Sequence, residues 1–220
     1  MFKLRIFRND DFSQFLIIKS TMFVARKLIG ILLKILKNFR YSHHIQNNCS
    51  EIRRCSQMGM IGYYIAFPEE EIQQLAAGTK MLEDMDPYNR ENLDIDKSWQ
   101  ALYYVLCDDI CDGEPPLGYV VPMDQDSYLE FGDIGAFYLT LPQLREAYQA
   151  IEAMTRDELL AKYNYNKMLE EDIYPLFGDG DVKDGEAEQF FDYLYSYFKD
   201  IRKFFAETIS EGKGLVFCIS

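Results

Sequence analysis

Apolar and polar positions form clear patterns after residue 58, in short runs separated by glycine and proline. The run "MIGYYIAF" (60–67) has the aromatic and β-branched content of a buried strand. Pro68 and the three glutamates after it suit the first turn of a helix, where the helix dipole favours anions. Gly78 lies where a helix-ending glycine is expected. Similar apolar runs predict three further strands, at 117–123, 135–140 and 214–219.

Helical spacing of apolar residues accounts for much of the remaining sequence. Two segments begin with capping-box signatures, Thr140 with Gln143 and Thr155 with Glu158. Other segments show apolar residues three and four positions apart. The longer predicted helices cover 94–107, 140–154 and 187–211, and 164–175 is a short helix that leads into a Tyr-Pro turn. About four short strands and about six helices, in irregular order, predict an α+β fold with a single compact domain.

Residues 14–40 have a different pattern, which predicts a basic amphipathic helix. Lysine and arginine fall on one side of the helical wheel, and aliphatic residues fall on the other. Such a helix suits an anionic membrane surface or the groove of a partner. Lysine and arginine interrupt every apolar stretch, so no charge-free run approaches the roughly 20 residues that span a bilayer. Residues 41–57 are polar and typical of a linker.

Two alternatives to a membrane-surface role are open for this basic extension. The helix packs on the acidic remainder of the chain, or the extension is no part of the natural protein and translation begins at Met58. We therefore predict two parts, a basic extension and linker over residues 1–57 and an α+β domain over residues 58–220.

Charge divides the chain in the same way. Residues 1–57 carry a net charge of +8, and residues 58–220 carry −21. A part so acidic repels phosphate, so we expect no nucleic-acid partner, whereas a basic protein would be attracted. The simpler explanation of this charge is solubility. Five scattered cysteines do not form a disulfide framework, which favours a reducing, cytoplasmic location.

The chemistry of residues 58–220 is limited by the absence of histidine, because both histidines lie in the linker. Histidine-dependent triads and histidine-based zinc sites are thereby excluded from this part. No glycine-rich phosphate-binding motif is present. Cys107 and Cys111 alone do not complete a metal site, and buried core cysteine is the stronger interpretation. We expect no cofactor and no metal.

Four residues are candidates for ligand binding. Asp94 and Asp96 could act as paired carboxylates, although capping of the predicted helix at 94–107 explains both more simply. Trp99 is the only tryptophan and could line a pocket beside Asp96, with a core position as the alternative. Tyr63 is adjacent to Tyr64 in a predicted strand, so one of the two should face outward.

Five motifs in order make the sequence similar to a known family. They are "MGMIGYY" (58–64), "LDIDKSW" (93–99), "FYLT" (137–140), "EEDIYP" (170–175) and "GKGLVF" (212–217). On these motifs, residues 58–220 resemble the YfbM-like family of bacterial domains of unknown function. The resemblance implies a small, soluble α+β fold that begins near Met58. It implies no activity. Relatives can carry histidine where this chain has Tyr103.

These observations leave the biochemical function open between two classes. The first is a non-catalytic acidic protein that binds a basic protein, for example an immunity-type neutraliser of a cationic toxin. The second is a small-ligand binder or enzyme that uses carboxylates and tyrosines. The first residues to consider for it are Tyr63, Asp94, Asp96 and Trp99. Whether the protein is an enzyme is uncertain, and the absence of histidine from residues 58–220 argues against it.

Overall fold

A computed structural model of the protein describes residues 59–110, 113–132, 134–176 and 185–220. The predictions for residues 1–57 and for Cys111 lie outside these residues. Within the described part, no helix is both long enough and apolar enough to cross a membrane.

A five-stranded antiparallel sheet forms the centre of the fold. Its strands are β1 Gly62–Pro68, β2 Asn92–Asp94, β3 Tyr128–Leu129, β4 Ala136–Leu139 and β5 Lys213–Ile219. Their spatial order is β2-β1-β5-β4-β3. The register places Tyr64 opposite Phe217 and Tyr138 opposite Val216. Both edge strands are short, which limits the exposed backbone available for unwanted strand pairing.

Six α-helices accompany the sheet in the described part of the chain. They are α1 Glu69–Ala76, α2 Trp99–Cys107, α3 Leu141–Ile151, α4 Arg156–Lys162, α5 Tyr165–Glu170 and α6 Glu186–Ser210. Both predicted capping boxes are confirmed, at Thr140 before α3 and at Thr155 before α4. Gly78 has φ 64° just after α1, as a helix-ending glycine should. The α+β fold class is thereby confirmed, with one strand more than predicted.

One face of the sheet carries the larger helical layer. We call it the helical face, because α3 and α6 pack on it. Tyr64 lies there, with its ring against Phe204, Phe205 and Phe217. Its hydroxyl donates to the carbonyl of Val120 at 2.7 Å. This face holds most of the fully buried aromatic side chains, and it is therefore the main source of stability.

The opposite face, which we call the α1 face, has a thinner cover. Its core combines sheet residues with α1 and with the 3₁₀ turn Leu82–Met85. Side chains of Ile65, Phe67, Val216 and Cys218 point to this side, as the alternation along β1 and β5 requires. Tyr63, Leu129 and Tyr138 are only partly buried there. The α1 face therefore leaves more of its margin open than the helical face.

The strand predicted at 117–123 is wrong. Leu117–Tyr119 forms a 3₁₀ turn, and the two valines after it are buried without joining the sheet. Gly118 approaches the backbone of Gly113 so closely that a Cβ would not fit. The apolar run reflects burial under the helical layer, not strand pairing. Two strands were not predicted, β2 and β3, because they have only three and two residues.

Candidate functional site

Asp94 and Asp96 lie where the edge strand β2 passes into the helical layer. Asp94 is the last residue of β2, and α2 begins only at Trp99, so the predicted helix over 94–107 starts too early. The Asp94 carboxylate nevertheless accepts the backbone N–H of Asp96, at 2.6 Å. It therefore stabilises the turn into the 3₁₀ segment Asp96–Ser98, which is a capping role in a different geometry.

Asp96 is joined to a distant part of the chain by a tyrosine of α6. The Tyr193 hydroxyl donates to Asp96 Oδ2 at 3.0 Å, across 97 positions of sequence. Asp96 has φ 48°, in the left-handed region. Asp86, Asp108 and Asp172 share that conformation, so it is a recurrent way of ending or turning a segment in this chain. Asp96 therefore differs from these three aspartates in its hydrogen bond to Tyr193 and not in its backbone conformation.

Tyr197 lies one helical turn after Tyr193 and faces the same carboxylates. The two rings meet edge to face, with centroids 5.1 Å apart. Burial and then the charges of Asp96, Asp94 and Asp200 raise the pKa of Tyr197. For Tyr193, burial and then the hydrogen bond to Asp96 place the pKa well above its usual range. Both phenols therefore stay protonated near neutral pH, and Tyr193 donates a hydrogen bond to Asp96.

We call these five residues the acidic edge: Asp94, Asp96, Tyr193, Tyr197 and Asp200. In the described part of the chain, no lysine or arginine forms an ion pair with its three carboxylates. Elsewhere carboxylates are paired, as in Asp108–Lys167 and Asp192–Arg156, both at 2.7 Å. The acidic edge thus combines uncompensated negative charge with aromatic rings. Carboxylates and aromatic faces are the groups that bind ammonium and guanidinium cations.

Trp99 has a core position. It is buried, and its indole Nε1 donates to the carbonyl of Met60 at 3.3 Å. Its ring lies 5.7 Å from that of Tyr174, whose hydroxyl also donates to the Met60 carbonyl, at 3.0 Å. Asp96 contributes to the raised pKa of Tyr174, after burial. Trp99 therefore packs in the core with Met60 and Tyr174 and presents almost no surface to a ligand.

Tyr63 lies on the α1 face, opposite Asp94 in the pairing of β1 with β2. Its hydroxyl interacts with the Cys218 thiol, and burial, Cys218 and Tyr88 together raise its pKa well above the usual range. The structure therefore does not gather the four candidates around one cleft. Asp94 is the strand partner of Tyr63, and Asp96 is bonded to Tyr193. Trp99 is in the core, and the Tyr63 hydroxyl meets Cys218 on the α1 face.

The two described cysteines are free thiols with little reactivity. Burial raises the pKa of Cys218 to about 12, and burial followed by the charge of Asp109 raises the pKa of Cys107 to about 11. Both remain protonated near neutral pH, so they are poor nucleophiles and poor metal ligands. Among the residues that the structure describes, no three His, Cys, Asp or Glu side chains are placed to hold a metal ion.

Tyr103, where relatives can carry histidine, is buried in α2. Its hydroxyl accepts the backbone N–H of Gly113 at 2.6 Å. The tyrosine therefore links Gly113 to α2.

Sequence reasoning missed three members of the acidic edge. Tyr193 and Tyr197 have the four-residue spacing of one helix face, and both are half-buried in the structure. Asp200 continues that spacing by three residues. The spacing could have indicated a tyrosine face. Its contact with Asp96 could not be read from the sequence, because it depends on how α6 packs against the sheet.

The fold and the acidic edge define a small α+β domain with an acidic, tyrosine-containing surface at one sheet edge. Residues 58–218 match the family described as "Domain of unknown function (DUF1877)", so the chain belongs to that family.

A solved structure shares this fold. It is "The Crystal Structure of a Protein of Unknown Function YfbM from Escherichia coli", with a TM-score of 0.58 and 22% sequence identity. The match covers 73% of this chain and 99% of that chain. At this identity the likeness concerns the fold alone, and it confirms the resemblance to YfbM-like domains. No curated protein matches the chain.

Proposed function

We propose that the protein is a non-catalytic binding protein that takes up a basic protein partner at the acidic edge. The carboxylates of Asp94, Asp96 and Asp200 carry this proposal, because they form no ion pair within the described residues and the charge of each acts on the Tyr197 phenol. Lysine and arginine side chains of the partner would pair with these carboxylates and lie against the rings of Tyr193 and Tyr197.

The charge of the whole domain supports the same proposal. Residues 58–220 carry −21, which would attract a basic partner over distance and speed the encounter. An immunity-type protein that neutralises a cationic toxin is a concrete example of this class. The cytoplasm, where such a protein would meet its partner, agrees with the free thiols of Cys107 and Cys218.

The state of the phenols favours binding over catalysis. A general base must lose its proton near the working pH, whereas the pKa values of Tyr193 and Tyr197 are raised. The protonated Tyr197 hydroxyl can still donate a hydrogen bond to a partner, while that of Tyr193 donates to Asp96. The rings keep their electron-rich faces, which attract cations whatever the protonation of the hydroxyl.

A salt-dependent capture experiment tests the proposal. The full chain is immobilised, proteins bound at low salt are eluted at high salt, and each is purified and titrated against the chain. We expect a basic partner whose affinity falls about tenfold in the triple variant Asp94→Asn, Asp96→Asn, Asp200→Asn, since exposed charge pairs contribute up to about 1 kcal/mol each.

The matched control is the triple variant Glu146→Gln, Glu152→Gln, Glu170→Gln. Its three side chains are exposed, and it removes the same charge from a different surface. We expect it to weaken binding by much less. If no purified basic protein binds, or if both triple variants weaken binding equally, the acidic edge is not the binding site.

The hydrogen bond from Tyr193 to Asp96 favours a second function, the binding of a small organic cation. The bond is half-buried and joins two elements, so it could hold Asp96 in place for a single ammonium group. Calorimetric titration with spermidine, as a polyamine probe, tests this alternative. Micromolar binding that Tyr193→Phe weakens would support it, and the absence of heat at millimolar spermidine would remove it.

A further inference from the structure

Residues 81–89 carry an exposed apolar surface that the acidic edge does not use. Two 3₁₀ turns, Leu82–Met85 and Pro87–Asn89, are joined at Asp86. Within this short segment Met81 is 59% exposed and Tyr88 is 75% exposed. The other large apolar side chains that stand out, Tyr128 and Leu160, are each only about 40% exposed. Residues 81–89 therefore hold the two most exposed large apolar side chains of the described chain.

The segment is held firmly against the α1 face. Leu82, Met85 and Pro87 are buried beneath it. Arg90 donates two hydrogen bonds to the Met85 carbonyl, at 3.0 and 2.8 Å, and its guanidinium lies 4.2 Å from the centre of the Phe67 ring. Tyr88 is thus presented on an ordered support. A rigid aromatic side chain loses little conformational entropy when it binds a partner.

Tyr88 also connects the surface with the core. Its ring centroid lies 6.0 Å from that of Phe131, which belongs to the core of the α1 face. An aromatic side chain with an apolar support below and solvent above is typical of an interface anchor. The partly buried Tyr63 is close enough to contribute to the same margin, since Tyr88 affects its pKa.

Three acidic residues lie between Met81 and Tyr88 in the sequence. Glu83, Asp84 and Asp86 are exposed, and in the described part of the chain none of them forms an ion pair. The neighbouring Arg90 is already paired with Glu71 at 2.8 Å, so it does not offset them. We call Met81, Glu83, Asp84, Asp86 and Tyr88 the Tyr88 surface. It combines an apolar centre with a rim of three negative charges.

We propose that the Tyr88 surface docks a basic amphipathic segment of a protein partner. Apolar side chains of that segment would pack on Tyr88 and Met81, and its lysines or arginines would pair with the three carboxylates. The same surface of a second copy is a poor occupant, because the same three charges would face each other. This inference rests on the proposed function, and it specifies the surface on which an apolar part of the partner binds.

Three synthetic peptides of equal length test this docking on the full chain, by fluorescence anisotropy. The first has leucine and lysine at helical spacing, the second has leucine and glutamate, and the third has lysine among glycine and serine. We expect the first to bind best and the second not to bind. Tyr88→Ala should weaken the first peptide about tenfold and leave the third unchanged, because only the first has apolar side chains to pack.

The acidic rim is tested separately. The triple variant Glu83→Gln, Asp84→Asn, Asp86→Asn should weaken both lysine peptides about tenfold. Two variants are matched controls, Leu160→Ala for the loss of an exposed apolar side chain and the Glu146, Glu152, Glu170 triple for the loss of charge. Each should change the affinities less than twofold. Tyr88→Ala should unfold at the same urea concentration as the parent chain, since its ring is mostly exposed.

The outcomes separate this inference from the proposed function. If the lysine peptides bind but Tyr88→Ala behaves like Leu160→Ala, the Tyr88 surface is not the docking site, and the proposed function is unaffected. If the Asp94, Asp96, Asp200 triple abolishes binding while the Tyr88 surface variants do not change it, the acidic edge alone binds. If neither lysine peptide binds the parent chain, both proposals are overturned.

Discussion

The two faces of the sheet differ in what covers them, although the same strands build both. The helical face is covered by long helices and is filled with aromatic side chains such as Tyr64, Phe205 and Phe217. The α1 face is covered by one short helix and two 3₁₀ turns, and Tyr88 stands exposed at its margin. The difference indicates that stability comes mainly from the first face, which leaves the second free to carry a recognition surface.

Removal of one phenylalanine from each face is the strongest test of this comparison. Phe205→Ala should lower the free energy of unfolding by about 3–5 kcal/mol, because Phe205 is fully buried and its loss leaves a cavity. Phe131→Ala should cost about 2 kcal/mol, since Phe131 keeps a slight exposure in the more thinly covered core of the α1 face. Urea titrations followed by circular dichroism give both values. Equal losses would contradict the division between the faces.

Addition of a single methyl group tests how tightly the helical face is packed. A Cβ at Gly62 would lie 2.9 Å from the Cβ of Trp99 and 3.0 Å from Cζ of Phe217. Gly62→Ala should therefore lower the free energy of unfolding by about 1–3 kcal/mol. The same titration measures it. An unchanged midpoint would show that the helical face yields more easily than its buried aromatic residues suggest.

The start of α3 provides a smaller test of the helical layer. Thr140 caps this helix, and its backbone N–H donates to the Gln143 side chain at 3.0 Å. Thr140→Ala should lower the free energy of unfolding by about 1 kcal/mol. Thr140→Ser keeps the hydroxyl and should restore most of the loss. If serine and alanine are equally destabilising, the methyl group of Thr140 matters and the cap does not.

The smallest expected effect concerns a paired carboxylate, in contrast to the unpaired ones of the acidic edge. The hydrogen bond from Lys167, and then its charge, hold the pKa of Asp108 below the usual range. A carboxyl group whose pKa is lowered by folding stabilises the fold above its unfolded pKa, and this contribution is lost as the pH falls through its folded pKa.

Asp108→Asn should therefore be slightly less stable than the parent chain near pH 7, and the gap should close below about pH 4. Urea midpoints measured at a series of pH values give the gap. Lys167→Gln should reduce the pH dependence of the urea midpoint in the same way. A gap that persists at low pH would mean that Asp108 acts through something other than its charge.

The sequence predicts the parts of this fold that depend on local patterns. β1, β5, α6 and both capping boxes follow from apolar runs, helical spacing and side chains three residues apart. The strand predicted around Val120 and Val121 is wrong, because apolar character indicates burial and does not distinguish a strand from a buried turn. β2 was missed because "NLD" has no apolar pattern, and it forms only through its pairing with β1.

The candidate sites were less accessible to sequence reasoning. Asp94 and Asp96 were singled out as carboxylates beside a helix start, and the structure places them together at the edge of the sheet. Their partners Tyr193 and Tyr197 come from the far end of the chain, and their proximity is a product of tertiary packing. The exposure of Tyr88 likewise depends on which side of a 3₁₀ turn faces the core. The polar residues next to Tyr88 in the sequence do not indicate that side.

The position of β5 has a consequence for synthesis of the protein. β5 follows the other described strands in sequence but is central in the sheet, where it joins β1 to β4. While the ribosome is still adding the residues before Lys213, β1 lacks its main neighbour and the two halves of the sheet have no bridge. The apolar edges of both halves would stay uncovered during that time, which is when a nascent chain most needs a chaperone.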